Sequence, residues 1–137
     1  MARHLRQQKA SLESQLSEKP YQFEFHQAVK LIEMQTPECK SLGEGTRPEE
    51  EALILKGRIL YSYPASDLYS AKTETSNDNL IFDKRITVHV NFFGIAGGHG
   101  PLPAPYTELL YDRIRHQDTA GRDFLDIFNH RLLSIFH

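Results

Sequence analysis

The amino-acid sequence predicts an α+β domain: an N-terminal amphipathic helix, a small antiparallel sheet of two or more strands, and two C-terminal helices. Three observations predict it. Phe25, Ala28, Val29 and Ile32 recur at i, i+3, i+4 and i+7, one face of a helix. Ile86, Val88, Val90 and Phe92 instead alternate with Thr87, His89 and Asn91, the period of a half-buried strand. From Tyr106 onward the helical period returns. With 137 residues, 39% of them hydrophobic and 25% charged, the chain is about one domain and can bury a core.

Residues 1–19 are polar, with Leu5, Leu12 and Leu16 at loose helical spacing. They read as a mobile arm, or as a short helix needing a partner face, ahead of a domain over residues 20–137. Lys19-Pro20 breaks the chain, because the residue before a proline is driven out of the α region. A helix over Phe23–Gln35 follows, and Pro37 ends it. Residues 36–51 are turn-rich, and Glu49, Glu50 and Glu51 read as a solvated loop leading into a strand. Leu53–Tyr61 is that strand, with Leu53, Leu55 and Ile59 on one face, and Tyr63–Asp67 closes it with a turn.

Residues 70–79 are almost wholly polar and read as a surface loop. The clearest strand, Arg85–Phe93, comes next. Gly94–Pro105 holds four glycines and three prolines and is irregular. A helix starting at Pro105 or Tyr106 places Tyr106, Leu109, Leu110 and Ile114 on one side. Asp118 is the expected N-cap of a last helix, along which Phe124, Ile127, Phe128, Leu132 and Ile135 form a wide stripe. The stripe meets no helix-stop signal, so the chain reads as a fragment of something longer.

Sixteen Lys and Arg stand against 18 Asp and Glu, and the net charge of −2 gives no general attraction to nucleic acid or an anionic membrane. No apolar run approaches the roughly 20 residues that span a bilayer, and no signal-peptide core is present, so the reading is of an intracellular protein without membrane insertion. Cys39 stands alone, which leaves no disulfide framework and no CxxC pair.

No residue set for catalysis, cofactor or metal emerges. Gly94-Ile95-Ala96-Gly97-Gly98-His99-Gly100 follows a strand as a phosphate loop would, but Pro101, Pro103 and Pro105 lack the backbone donors that a phosphate uses. There is no GK[ST], and the GxGxxG spacing fails. None of the seven histidines makes the i, i+4 pair of a helical metal site. Arg122 and Asp126 read as a surface i, i+4 pair. His130, between Asn129 and Arg131, reads as a polar contact across a helix interface. An alternative class stays open: a small ligand-binding or enzymatic domain using the Gly94–Gly100 loop and His99.

Phe-Glu-Phe-His-Gln-Ala-Val-Lys-Leu-Ile-Glu at Phe23–Glu33 resembles the opening helix of the TssG (ImpH/VasB) family of type VI secretion baseplate proteins. The resemblance continues in order at Arg47–Glu51, Tyr63–Asp67, Val90–Gly97, Gly100–Pro103, Tyr106–Leu110 and Asp118–Ser134. It implies the N-terminal part of a structural assembly protein without catalysis or cofactor. Its implied partners are the baseplate proteins TssF and TssK, with TssE as a further one. Its implied place is the cytoplasm, on the secretion apparatus docked at the inner membrane. A free-standing regulator or a truncated, inactive copy is a third reading.

Interfaces of such a protein are anchored by aromatics and by polar residues that need partners once buried. The candidates are Phe23, Phe25, Tyr106, Phe124, Phe128 and Phe136, with Asn129 and Arg131. On this reading the last helix is the main adhesive element, and Asp126 lies on its solvated flank.

Overall fold

A computed structural model of the chain describes residues 12–75 and 84–137. Helix α1, described over residues 12–18, leads through a 3-10 turn at Pro20–Gln22 to α2, Phe25–Gln35. A second 3-10 turn, Pro48–Glu50, precedes strands β1 (Leu53–Gly57), β2 (Leu68–Thr75) and β3 (Lys84–Val90). Helices α3 (Ala104–Arg115) and α4 (Ala120–Phe136) follow. The predicted α+β class holds. Of the expected N-terminal arm, residues 1–11 fall outside the described residues, and α1 seats Leu16 in the core.

The sheet has the order β1-β3-β2, with β3 central. The expected antiparallel sheet is corrected to a mixed one: β2 pairs antiparallel with β3, but β1 joins β3 parallel, in the register Leu53↔Ile86, Leu55↔Val88 and Gly57↔Val90. The loop expected over residues 70–79 is corrected as far as Thr75, because Leu68–Thr75 is a strand; residues 76–79 lie outside the described residues. The alternation that marks a strand is hidden by a bulge between Leu68 and Ser70. The bulge lets Leu68 and Ala71, an odd three residues apart, meet Val90 and Val88 on the same face. The rest of β2 is polar because it is an edge, where Lys72 and Glu74 oppose unwanted strand pairing.

That shared face is the core. Leu53, Leu55, Leu68, Ala71, Ile86, Val88 and Val90 cluster with Phe25, Ala28, Val29 and Ile32 of α2. The stripe of α2 read from the sequence is the stripe it buries. The first N–H of α2, that of Phe25, donates to Asp67 Oδ2 at 3.2 Å, so a carboxylate from the Tyr63–Asp67 turn sits at the positive end of the helix dipole.

The acidic run does more than solvate a loop. Glu50 pairs with Lys40, and Glu51 is buried, its Oε1 accepting the Gly43 N–H at 3.1 Å. The expectation for Glu51 is thereby overturned. A carboxylate enters the interior because two neighbours, Gly43 and His130, meet it there.

Candidate functional site

Strand β1 is a sheet edge, and an open edge presents unpaired N–H and C=O groups. Helix α4 closes it. The Leu55 N–H donates to His130 Nδ1 at 3.1 Å, and the Gly57 N–H donates to Asp126 Oδ1 at 3.0 Å. The match is metric. Two residues along a strand cover about 6.6 Å and four along a helix about 6 Å, so Asp126 and His130 meet alternate amides of β1. The helix stands where a fourth strand would pair.

Asn129 and Ser134 on this side of α4 also bond inward, to the glycine loop and within the helix, while Asp126 Oδ2 is buried without a hydrogen-bond partner among the described residues. Asn129 Nδ2 donates to Asp126 Oδ1 at 3.0 Å, and Asn129 Oδ1 accepts the Ile95 N–H at 3.1 Å. Ser134 Oγ donates to the His130 carbonyl at 2.7 Å. His130 Nε2 lies 3.0 Å from Glu51 Oε2, close but off the axis of a hydrogen bond. Because Nδ1 accepts from Leu55, the ring proton belongs on Nε2 and the imidazole is neutral. Burial first of all holds its pKa below the ordinary value, against the pull of the Glu51 carboxylate. Burial likewise raises Asp126, against its bonds from Asn129 and Gly57.

Gly57 is required by this contact. A Cβ there would meet Asn129 Nδ2 at 2.7 Å and the Gly94 Cα at 3.2 Å. Only a residue without a side chain lets α4 and the Gly94 loop close on the strand together.

The consequence is a helix packed inside out. Asp126, Asn129, His130 and Ser134 are buried, while Ile127 and Ile135 are 65% and 70% exposed, and Phe124, Phe128, Leu132 and Phe136 are exposed with them. Only Leu133 carries the apolar side of α4 into the core. The Phe124 and Phe128 rings stand edge to face at 5.3 Å. At the far end, Phe136 lies near Phe92 and stacks against His26.

The expected surface pair of Arg122 and Asp126 does not form: Arg122 pairs with Asp123 at 2.9 Å, and Asp126 faces the strand. The flank reading of Asp126 is wrong for the same reason. Among the candidate anchors, Phe25 is 2% exposed and belongs to the core, and Asn129 is buried in the polar network just described. Phe23 is half-buried against the core. Tyr106, Phe124, Phe128, Arg131 and Phe136 lie exposed. The sequence reading missed Glu51 and Asp126 as buried groups. For Asp126 the signal was there: Asp126, Asn129, His130 and Ser134 fall at i, i+3, i+4 and i+8, as regular as the apolar stripe.

The glycine loop is a shaped connection. The N–H groups of Gly98, Gly100 and Leu102 donate to Leu60 O, Gly97 O and Ile95 O, and that of Ile95 to Asn129. None of these four is left for a phosphate. Gly97, at φ +131°, makes the turn that other residues rarely adopt. The loop borders a hollow of about 360 Å³ with Phe92, Phe93 and Leu132. His99 at its rim is exposed and stands edge-on to Tyr63. Among the described residues, no group of three or more His, Cys, Asp or Glu side chains is placed to hold a metal ion. Burial and Glu38 push the Cys39 thiol up, away from the reactive thiolate.

A family model described as "Type VI secretion, TssG" matches residues 19–137. The chain belongs to the TssG family. TssG proteins are structural components of the type VI secretion baseplate, and the matched region of this member contains the edge strand, the glycine loop and the inverted helix α4. Comparison with curated proteins and with solved structures returned no match.

Proposed function

We propose that this TssG chain is a non-catalytic assembly subunit that docks TssF through the outer face of α4, in the cytoplasm beneath the secretion apparatus. One observation carries the reading: the polar side of α4 is turned inward, onto β1 and the glycine loop, leaving a row of large apolar side chains facing out. Monomeric proteins seldom expose apolar patches beyond a few hundred Å², and larger ones mark interaction sites. Family membership supports a baseplate partner, and contacts with TssK and TssE belong to the same reading. Among the described residues no helix is long and apolar enough to cross a membrane.

The test is co-purification of the tagged chain with TssF. Phe128→Asp places a charge in the middle of the stripe and should abolish capture, while Lys30→Ala, exposed on α2, should leave it intact. Far-UV circular dichroism runs alongside. Retention of both fold and TssF by Phe128→Asp would remove α4 as the interface.

A further inference from the structure

On the side of β3 opposite the core, a hollow of about 340 Å³ opens where the sheet meets the two C-terminal helices. Arg58, just past β1, borders it together with Tyr69 of β2 and His89 of β3. Tyr111 and Ile114 of α3 and Arg122 of α4 complete its wall. None of the outward residues of α4 lines it, so it is separate from the TssF surface proposed above.

Its charge is one-sided. The Arg58 guanidinium sits 3.7 Å over the Tyr69 ring, and no carboxylate pairs with it among the described residues. Lys56 stands in register with His89, and Lys72 with Thr87, on the same sheet face, likewise without an ion-pair partner among the described residues. Arg122 is neutralised in part by Asp123. Glu74 stands further along this face, in register with Arg85. His89, which meets Ser70 Oγ at 3.1 Å, registers the sum. Burial lowers its pKa first, then Lys56, Arg122 and Lys72 add to the lowering, and only Asp126 opposes them. In a chain of net charge −2 this is a local concentration of positive potential.

We propose that this hollow receives an acidic segment of a partner protein, with one apolar or aromatic side chain held by Tyr111 and Ile114 and flanking carboxylates on Arg58 and Arg122. The volume suits a single large side chain, and the aromatic wall rewards an apolar anchor that a bare anion lacks. Arginine offers a carboxylate two parallel donors, and Arg58 is held in place by its ring. The two cations and two tyrosines also offer stacking to nucleic-acid bases, but a nucleic acid asks for phosphate contacts spread over the surface, which the overall charge opposes.

The experiment is fluorescence anisotropy of the chain with a short labelled peptide in which a central Phe is flanked by Asp and Glu. Comparison probes carry Lys in place of the acids, Ser in place of Phe, or are single-stranded oligo-dT. The acidic Phe peptide should bind saturably, the Lys peptide should not, and the Ser peptide should bind about tenfold more weakly. Arg58→Glu should weaken binding about tenfold, Arg58→Gln less, and Phe128→Asp not at all. Circular dichroism establishes that the Arg58 variants fold. The proposal is overturned if the acidic peptide fails to bind, if folded Arg58→Glu binds it as tightly as the parent chain, or if oligo-dT binds more tightly than the peptide.

Discussion

His130 is the residue on which most of the site converges. Its Nδ1 accepts a strand amide and its Nε2 faces a buried carboxylate. His130→Ala strands both, and the expected cost is about 3 kcal/mol, read from the urea midpoint. The pH dependence has a definite sign. The folded pKa of His130 lies below the ordinary 6.5, so as pH falls below that value the unfolded chain takes up the proton first. Stability is therefore full above about pH 6.5 and is lost as pH falls through the folded value. His89 is lowered as well and adds to the same slope. Asp126, raised by burial, acts in the opposite sense at lower pH, since there the folded state holds the proton more tightly. In His130→Gln the loss of stability between pH 7 and pH 5 should shrink to the part His89 contributes; an unchanged slope would show that His130 titrates freely. Gly57→Ala tests the same contact sterically. Its Cβ collides with the bonded Asn129 amide, and about 1–3 kcal/mol should be lost.

At the scale of the element, α4 separates stability from binding by face. Asp126→Ala leaves the Gly57 amide unpaired and should destabilise the chain by about 2 kcal/mol. Asp126→Asn keeps an acceptor without the buried charge and should restore most of that loss. Phe128→Asp, on the outward side, should shift stability by less than about 1 kcal/mol. Paired thermal melts of the three variants measure this, and equal losses from both faces would contradict the inside-out packing. The existence of both α2 and α4 was legible from their spacing. The facing of α2 was too, because there the apolar stripe is the buried one. For α4 the same rule points the wrong way, since a helix docking on a sheet edge needs acceptors where a helix docking on a sheet surface needs hydrocarbon. β2 was lost for a different reason: the bulge at Leu68/Ser70 destroys the period of two, and its polar edge residues resemble those of a loop. The burial of Glu51 has no local signature, because Gly43 meets it only through the fold of the preceding loop and His130 comes from the far end of the chain.

For the molecule as a whole, an uncovered apolar row on a small domain has a colloidal consequence. The chain should self-associate as its concentration rises, and Phe128→Asp should reduce that association; light scattering across a dilution series reads both. A single monomeric species at high concentration in the parent chain would argue that the row is too weak to dock anything. The glycine loop carries the opposite expectation. Four of its amides are committed to internal acceptors, so calorimetric titration with ATP, GTP or NAD should give no heat of binding. Saturable micromolar binding of any of them would revive the ligand-binding alternative centred on His99.

The groups that seal the β1 edge come from far downstream: Leu55 waits for His130, 75 residues later, and Gly57 for Asp126, 69 residues later. On the ribosome the strand is therefore made long before its cover. A nascent chain halted ahead of Asp126 carries an unsealed edge through the whole interval, at synthesis rates of roughly 5–20 residues per second, in the form most open to pairing with a neighbouring chain. Translation that runs to the end of α4 is, for this protein, part of protection against aggregation.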